Sequence, residues 1–468
     1  MADHPTSPSP DSELTGQFSR RSFLRSTAVA GAAAALSSCN RPALVAPFAP
    51  LKPGRDLQVA LVGCGEQGNA LWAALSRIDD PKMMPHIRAV VDIDRLARSK
   101  MQGNMTEAGH ATEDYENIDV LLEKEGKNLD AVILAVPDWI HHELTIKALQ
   151  AGLHVYCEKM MSNRIEWARD MVRAQLASGK LLQIGHQRRS NPRYRALHDG
   201  IVSKHKGLGR LTHAYAQWHR SIKSSTPLKP VEEKRKLALA KKYGYETVNE
   251  FRNWRHYRKF GGGIISDLGA HQIDLFNWFF GAMPKRLVAM GGVDYFTPDS
   301  PLGHYELPDN VMVTYEYEMP ADRSPDGKAH TARGYYQTLT TTGTQGFHER
   351  FMGDAASVAM SEVPVWNQIF RESHTDEDPA FSAIWQQMEQ EGLLYKVPSD
   401  KVWKGRRPWE SARPFGRQPP AWFKTPKEED AARRSAGAYV DVRVSKEPDA
   451  YELGAHLMMP AHQPHREP

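Results

Sequence analysis

Between Leu57 and Ile184 the chain alternates short apolar runs with stretches of helical spacing. Leu57-Gln58-Val59-Ala60-Leu61-Val62, Ile87 to Val91, Ala131 to Val136, Leu153 to Cys157 and Leu181 to Ile184 each have the length of a buried strand. After the first run, Ala70, Leu71, Ala74, Leu75 and Ile78 recur at helical spacing. A helix from about Ile140 to Gln150 stops at Gly152, and another stops at Gly179, as a glycine past the last turn dictates. Strands alternating with helices at this spacing predict a parallel, doubly wound sheet. Ligands of such sheets bind outside the carboxyl ends of the strands, which sets Gly63, Asp92, Pro137 and Lys159 along one rim.

Beyond Gly185 the period changes. Arg210 to His219, Asn310 to Met319 and Ala438 to Val444 alternate between apolar and polar residues, the pattern of an open antiparallel sheet with one wet face. Residues 221–249 are rich in Lys and Glu, with Leu237 to Lys242 helical, and read as an insertion. Residues 401–435, loaded with Arg, Pro and Trp, read as a long wrapping loop. At 468 residues the chain is too long for one core. The expected fold is α/β: an N-terminal Rossmann dinucleotide-binding domain over residues 56–185, then an α+β substrate-binding domain with an open, mainly antiparallel sheet over 186–468.

Composition excludes several classes. A 41% hydrophobic and 25% charged make-up is that of a soluble globular protein, and a net charge of +4 gives no footprint for nucleic acid. Cys39, Cys64 and Cys157 cannot build a disulfide framework and have no metal-site spacing. The amino terminus reads as an address. Ser19-Arg20-Arg21-Ser22-Phe23-Leu24-Arg25 resembles the twin-arginine export motif, and a weakly apolar stretch runs from Thr27 to Leu36. Leu36-Ser37-Ser38-Cys39 resembles a lipobox, whose cysteine would carry a lipid anchor; cleavage nearby without lipid is the rival reading. Residues 1–39 are thus expected to be a signal peptide and 40–55, with Pro42, Pro47, Pro50 and Pro53, a linker. The mature protein is expected outside the cytoplasm, periplasmic or anchored on the outer face of the membrane.

Gly63-Cys64-Gly65-Glu66-Gln67-Gly68 sits between a strand and a helix, the context that gives a GxGxxG turn meaning. Its glycines allow a tight turn and close backbone approach to a pyrophosphate resting on the helix N-terminus. Asp92, at the end of the next strand, can accept both ribose hydroxyls of an adenosine and would repel a 2′-phosphate, which favours NAD over NADP; Arg95 and Arg98 keep NADP possible. Asp94 is the better candidate to cap the following helix. Phe251 to Phe260 interleaves basic and aromatic residues. Such a stretch can bind single-stranded nucleic acid, but its place just before Gly261-Gly262-Gly263 favours a substrate lip or a subunit contact. On the helix after Gly263, Asp267, His271 and Asp274 share one stripe of an otherwise apolar surface. Three readings remain open there: a salt-bridge stripe, a metal site lacking a fourth ligand, and acid–base chemistry beside a nicotinamide.

The glycine turn, Val136-Pro137-Asp138-Trp139-Ile140-His141, the Glu158-Lys159 pair, and Gly261-Gly262-Gly263 followed by Asp267-Leu268-Gly269-Ala270-His271 together resemble the glucose–fructose oxidoreductase/inositol dehydrogenase family, Gfo/Idh/MocA, over residues 57–362. The chain departs from it at Met160, where proline usually follows Glu-Lys, and ends at Pro468, where relatives commonly carry a further helix. The resemblance implies His271 as the base that takes a hydroxyl proton, a role its reference pKa near ~6.5 suits. It also places His141 beside the cofactor. Lys159 would stabilise a developing alkoxide, and Asp267 would orient the hydroxyl or hold the lysine. Gly63, Gly65, Gln67, Gly68, Asp92, Pro137, His141 and Glu158 are the expected cofactor-binding residues, with no metal. Oxidation of a secondary alcohol on a sugar, cyclitol or glycoside, with tightly bound NAD, is the leading expectation. A glycoside hydrolase or lyase using NAD transiently, and a non-catalytic sugar- or dinucleotide-binding protein, are the alternatives. The expected partner is a small carbohydrate, and antiparallel sheets of the family often pair face to face into homo-oligomers.

Overall fold

The first apolar run forms β1 (Gln58–Val62), and the sequence then folds strand by strand into a parallel sheet. β1 leads into α1 (Glu66–Leu75), β2 (His86–Val91), α2 (Arg95–Glu107), β3 (Glu113–Tyr115) and α3 (Ile118–Glu125). Then come β4 (Ala131–Leu134), α4 (His141–Gln150), β5 (His154–Glu158), α5 (Ile165–Ser178) and β6 (Leu182–Gly185). The order β3-β2-β1-β4-β5-β6 is parallel throughout, with the change of direction between β1 and β4. Helices cover both faces. Ala60, Val62, Val132 and Val155 are buried on one, Val59, Leu61, Ile87 and Val90 on the other, so the strands read as unbroken apolar runs. This computed structural model describes residues 56–78, 83–221, 228–300, 303–343, 345–362, 367–396 and 450–453. The signal peptide with Cys39, the linker, the wrapping loop 401–435 and the alternation at 438–444 lie outside the described residues.

After β6 the chain passes through α6 (Pro192–Arg195) and a π-helical turn to β7 (Leu211–His219), α7 (Pro230–Lys242), α8 (Val248–Arg252) and α9 (Ala270–Phe280). β8 (Pro284–Gly292), β9 (Asn310–Met319), β10 (His330–Leu339), β11 (Phe347–Gly353), β12 (Ala356–Met360), β13 (Gln368–Arg371), α10 (Pro379–Gln390), β14 (Leu394–Lys396) and β15 (Ala450–Leu453) complete it. Among the described residues these strands form a nine-stranded sheet, β14-β15-β13-β12-β11-β7-β10-β9-β8, antiparallel except where β7 meets β10. Its alternation has a clear cause. One face of the sheet is buried under α9, where Phe280 packs on Tyr317 of β9 and Phe279 stacks on Phe351 of β11 at 4.0 Å between ring centroids. Each such fully buried side chain contributes about 1.5–3 kcal/mol. The two sheets, one on either side of residue 186, belong to a single contact unit, Gly54–Pro468.

Candidate functional site

The glycine loop is built by close approach. Gly63 has φ +100°, its N–H donates to the Val91 carbonyl at 2.8 Å, and a Cβ there would strike the Ala135 carbonyl. A Cβ on Gly68 would strike the Gly63 carbonyl, so α1 starts pressed against the loop. Gly65 differs: a Cβ would meet nothing within 4 Å, and the residue caps α1 with no side-chain hydrogen bond. The start of α1 therefore has open space beside Gly65 and no side-chain cap on its first-turn amides, a cradle that a pyrophosphate fits. Asp92 stands beside it. One carboxylate oxygen accepts from the Cys64 N–H at 2.8 Å and the other from the Asp94 N–H at 2.7 Å, which leaves each a lone pair for a ribose hydroxyl. Burial raises its pKa, against the pull of those two amides and of Arg98. Asp94 caps α2 by accepting from the Leu96 N–H at 3.0 Å.

Three expected cofactor residues are also bonded within the protein. His141 is 1% exposed, with Nδ1 2.6 Å from the Met160 carbonyl and Nε2 2.9 Å from the Val136 carbonyl. Both ring nitrogens are thus aimed at protein carbonyls, and burial drives the pKa down to about 4. The ring braces the β4 and β5 loops. Gln67 Nε2 donates to Glu158 Oε1 at 3.0 Å, and Tyr156 donates to the same oxygen at 3.1 Å. These bonds tie α1 to the end of β5. Pro137 opens the short 3-10 turn Asp138–Ile140 on the rim.

Across the rim, Lys159 meets the second sheet's helix. The Lys159–Met160 peptide is cis. Lys159 Nζ donates to the Asp267 backbone carbonyl and lies 3.4 Å from Asp267 Oδ1. The same Oδ1 accepts from Arg255 Nε at 3.0 Å, and Arg220 stands 4.0 Å from Oδ2. Burial alone would raise the Asp267 pKa, but Arg255, Lys159 and Arg220 together hold it far below the usual carboxylate range. His271 is 9% exposed, its ring 5.5 Å from that of Trp218. Burial, helped by Lys159 and Arg188, keeps its pKa well below that of a free imidazole, so the ring is neutral at physiological pH. An ammonium, a fixed carboxylate and a neutral imidazole thus converge where the two sheets meet.

The stripe expected on this helix divides. Residues Ile265–Gly269 wind as a π-helix before α9 begins, so the angular spacing of an α-helix does not hold between Asp267 and Asp274. Asp274 instead forms a two-bond pair with Arg189, at 2.7 and 2.8 Å, and lies 3.6 Å from His186 Nδ1. Among the described residues no group of three or more His, Cys, Asp or Glu could hold a metal ion. Arg188 is 2% exposed. It pairs with fully buried Glu349 at 2.5 Å, and its guanidinium lies 5.2 Å from the Trp218 ring. Sequence reasoning also missed Arg255 as partner of Asp267, and Asp138, a buried carboxyl pushed up to about 7 by burial and by Asp267, against Arg255 and Lys159. The interleaved segment around Arg255 carried a signal, but one with several meanings.

Residues 57–186 match the family described as Oxidoreductase family, NAD-binding Rossmann fold, and residues 237–349 match the Gfo/Idh/MocA C-terminal domain. Residues 17–37 match a twin-arginine translocation pathway signal sequence. An uncharacterized oxidoreductase, YrbE, of Bacillus subtilis is 22% identical over 62% of this chain and 73% of its own length. Inositol 2-dehydrogenase of Pseudarthrobacter chlorophenolicus is 26% identical over 57% of this chain and 66% of its own. The solved structure of levoglucosan dehydrogenase in complex with NADH and levoglucosan superposes with a TM-score of 0.53 at 18% identity, covering 76% of this chain and 87% of that one; the likeness is one of fold. With both halves matched and the glycine cradle in place, the chain belongs to the Gfo/Idh/MocA family of NAD-binding oxidoreductases.

Proposed function

We propose that this oxidoreductase oxidises a secondary alcohol of a sugar, cyclitol or glycoside outside the cytoplasm, with a dinucleotide it does not release between turnovers. The observation that carries the reading is Lys159 Nζ held at Asp267, with His271 one turn further along and kept neutral, next to the Rossmann rim. NAD, when bound, supplies the hydride acceptor. The chain's part is the proton. His271 takes it from the substrate hydroxyl, and the Lys159 ammonium stabilises the oxygen as charge develops on it. Asp267, charged and fixed by Arg255, holds Lys159 in position and leaves its Nζ aimed by two contacts rather than free to swing. The carbohydrate reading is supported by the inositol and levoglucosan dehydrogenases among the chain's relatives.

Operation outside the cytoplasm is supported by the twin-arginine signal, a route that carries folded proteins, so a bound dinucleotide can travel inside one. Cys39 is the proposed lipid site. Exposed Val288 and Met290, on one face of β8, with Met312 opposite Met290 on β9, form the proposed surface for pairing with a second copy. The test of function is to purify the protein, dialyse it extensively, extract any dinucleotide, and screen sugars and glycosides for reduction of the retained cofactor. Retained NAD that a sugar reduces supports the reading. A cofactor-free protein that needs a stoichiometric supply of NAD refutes retention, and bound NAD indifferent to every polyol refutes the substrate class. Replacing Arg20 and Arg21 by Lys should leave the protein in the cytoplasm; unchanged export refutes the twin-arginine route.

A further inference from the structure

Residues 228–260 leave the second sheet's half of the chain and attach to four strand ends of the first. Beyond β3, Glu116 pairs with Lys242 and accepts from the Tyr243 hydroxyl at 3.2 Å. Beyond β2, Asp94 pairs with Arg235. Beyond β4, Trp139 Nε1 donates to the Tyr245 hydroxyl at 3.1 Å, and the Trp139 ring packs edge-on against Phe260 at 5.4 Å. Beyond β5, Asn163 Nδ2 donates to the Phe260 carbonyl at 3.3 Å. In the sheet, β3 and β2 lie on one side of β1, and β4 and β5 on the other. The segment is therefore anchored on both flanks of the glycine loop that follows β1.

Its own interior is packed. Ala240, Tyr245 and Phe260 are buried, with Trp139, Tyr243, Phe251 and Trp254 against them, and Tyr245 stacks on Phe260 at 4.1 Å. The anchors are unlike at the two ends. Trp139, Tyr245 and Phe260 make an aromatic hold beyond β4. Arg235–Asp94 and Lys242–Glu116 are ion pairs with solvent access beyond β2 and β3. A dinucleotide in a doubly wound sheet lies across this rim, with its adenosine ribose at the end of β2. Arg235 reaches Asp94, whose N–H is bonded to Asp92, the carboxylate placed for that ribose.

We propose that residues 228–260 are a retaining strap over the dinucleotide crevice, fixed by aromatic packing beyond β4 and latched by Arg235 and Lys242 beyond β2 and β3. The proposal rests on the reading of a held cofactor and names the part of the chain that holds it. The strap slows release of the cofactor without touching the reacting atoms, and it opens when the two ion pairs break.

The experiment loads the full-length protein with NADH and follows the loss of nicotinamide fluorescence on dilution into excess NAD. Exposed ion pairs are individually weak, so Arg235→Ala with Lys242→Ala is expected to speed release by roughly tenfold. Lys242→Glu alone should also speed it, and Lys242→Glu combined with Glu116→Lys should return it toward the wild-type rate. That rescue separates a lost latch from a damaged fold. Release at the wild-type rate in the double alanine variant, or a charge exchange no slower than the single reversal, overturns the strap. Wild-type protein that binds NADH and sheds it freely overturns the held-cofactor reading and the strap with it. A slow wild-type release that the variants leave unchanged overturns the strap alone.

Discussion

At the residue scale the site turns on which groups carry charge. His271 is buried beside Lys159 and Arg188, so burial first and these cations second oppose its protonation, and Asp267 only partly offsets them. A base held neutral in this way works down to a lower pH than a free imidazole would. Its pKa is lowered, so the active form is present above that value and is lost as pH falls through it. The acid limb of kcat/KM is therefore expected below the ordinary histidine value of ~6.5. A pH–rate profile checks this. A limb near neutrality that Asp138→Asn abolishes would transfer the proton-accepting role to Asp138, whose carboxyl is pushed up to about 7.

At the element scale, the structure depends on glycines where backbones meet. Gly68 lets α1 begin against the Gly63 carbonyl, and any Cβ there has to push the helix start off the loop. Gly68→Ala is expected to lower the melting temperature and to weaken NAD binding at least tenfold in the protein that remains folded, measured by fluorescence titration with NADH; unchanged affinity would remove α1 from the binding site. Gly261 does the same for Arg255, whose carbonyl occupies the space a Cβ would need. Elements of this kind were legible in the sequence because their signals are local. The strand–turn–helix around Gly63, the Asp94 cap and the alternation of β9 each follow from residues a few positions apart. The stripe on α9 was misread because the turn through Asp267 is π-wound, and winding is set by packing, not by spacing. The burial of Arg188 was not legible in the sequence, because it depends on Glu349, far along the chain on β11. The family motif gives the place of His141 but not the carbonyls its ring nitrogens face, which the fold alone supplies.

At the scale of the whole molecule, the dinucleotide belongs where the two sheets and the strap converge, so its removal should be felt by all three. A ligand that binds only the folded state stabilises it by about 2.7 kcal/mol at one hundred times its Kd. Protein stripped of dinucleotide is expected to melt several degrees lower than the holoprotein. Added NAD should restore the difference in a concentration-dependent way, and NADP should restore less of it, because a carboxylate at the end of β2 would repel a 2′-phosphate. Calorimetry checks both. Equal rescue by the two cofactors would take Asp92 out of the choice between them.

The central claim is that Lys159, Asp267 and His271 move a substrate proton while NAD bound at the glycine rim accepts the hydride. The most direct measurement is a single turnover: mix NAD-loaded enzyme with the sugar that reduces it fastest, and follow nicotinamide absorbance in the wild type and in His271→Ala. The account predicts that the variant still holds its dinucleotide and that the reduction slows by ~10²–10⁴-fold. Loss of less than tenfold, with the cofactor bound and the fold intact, would contradict it.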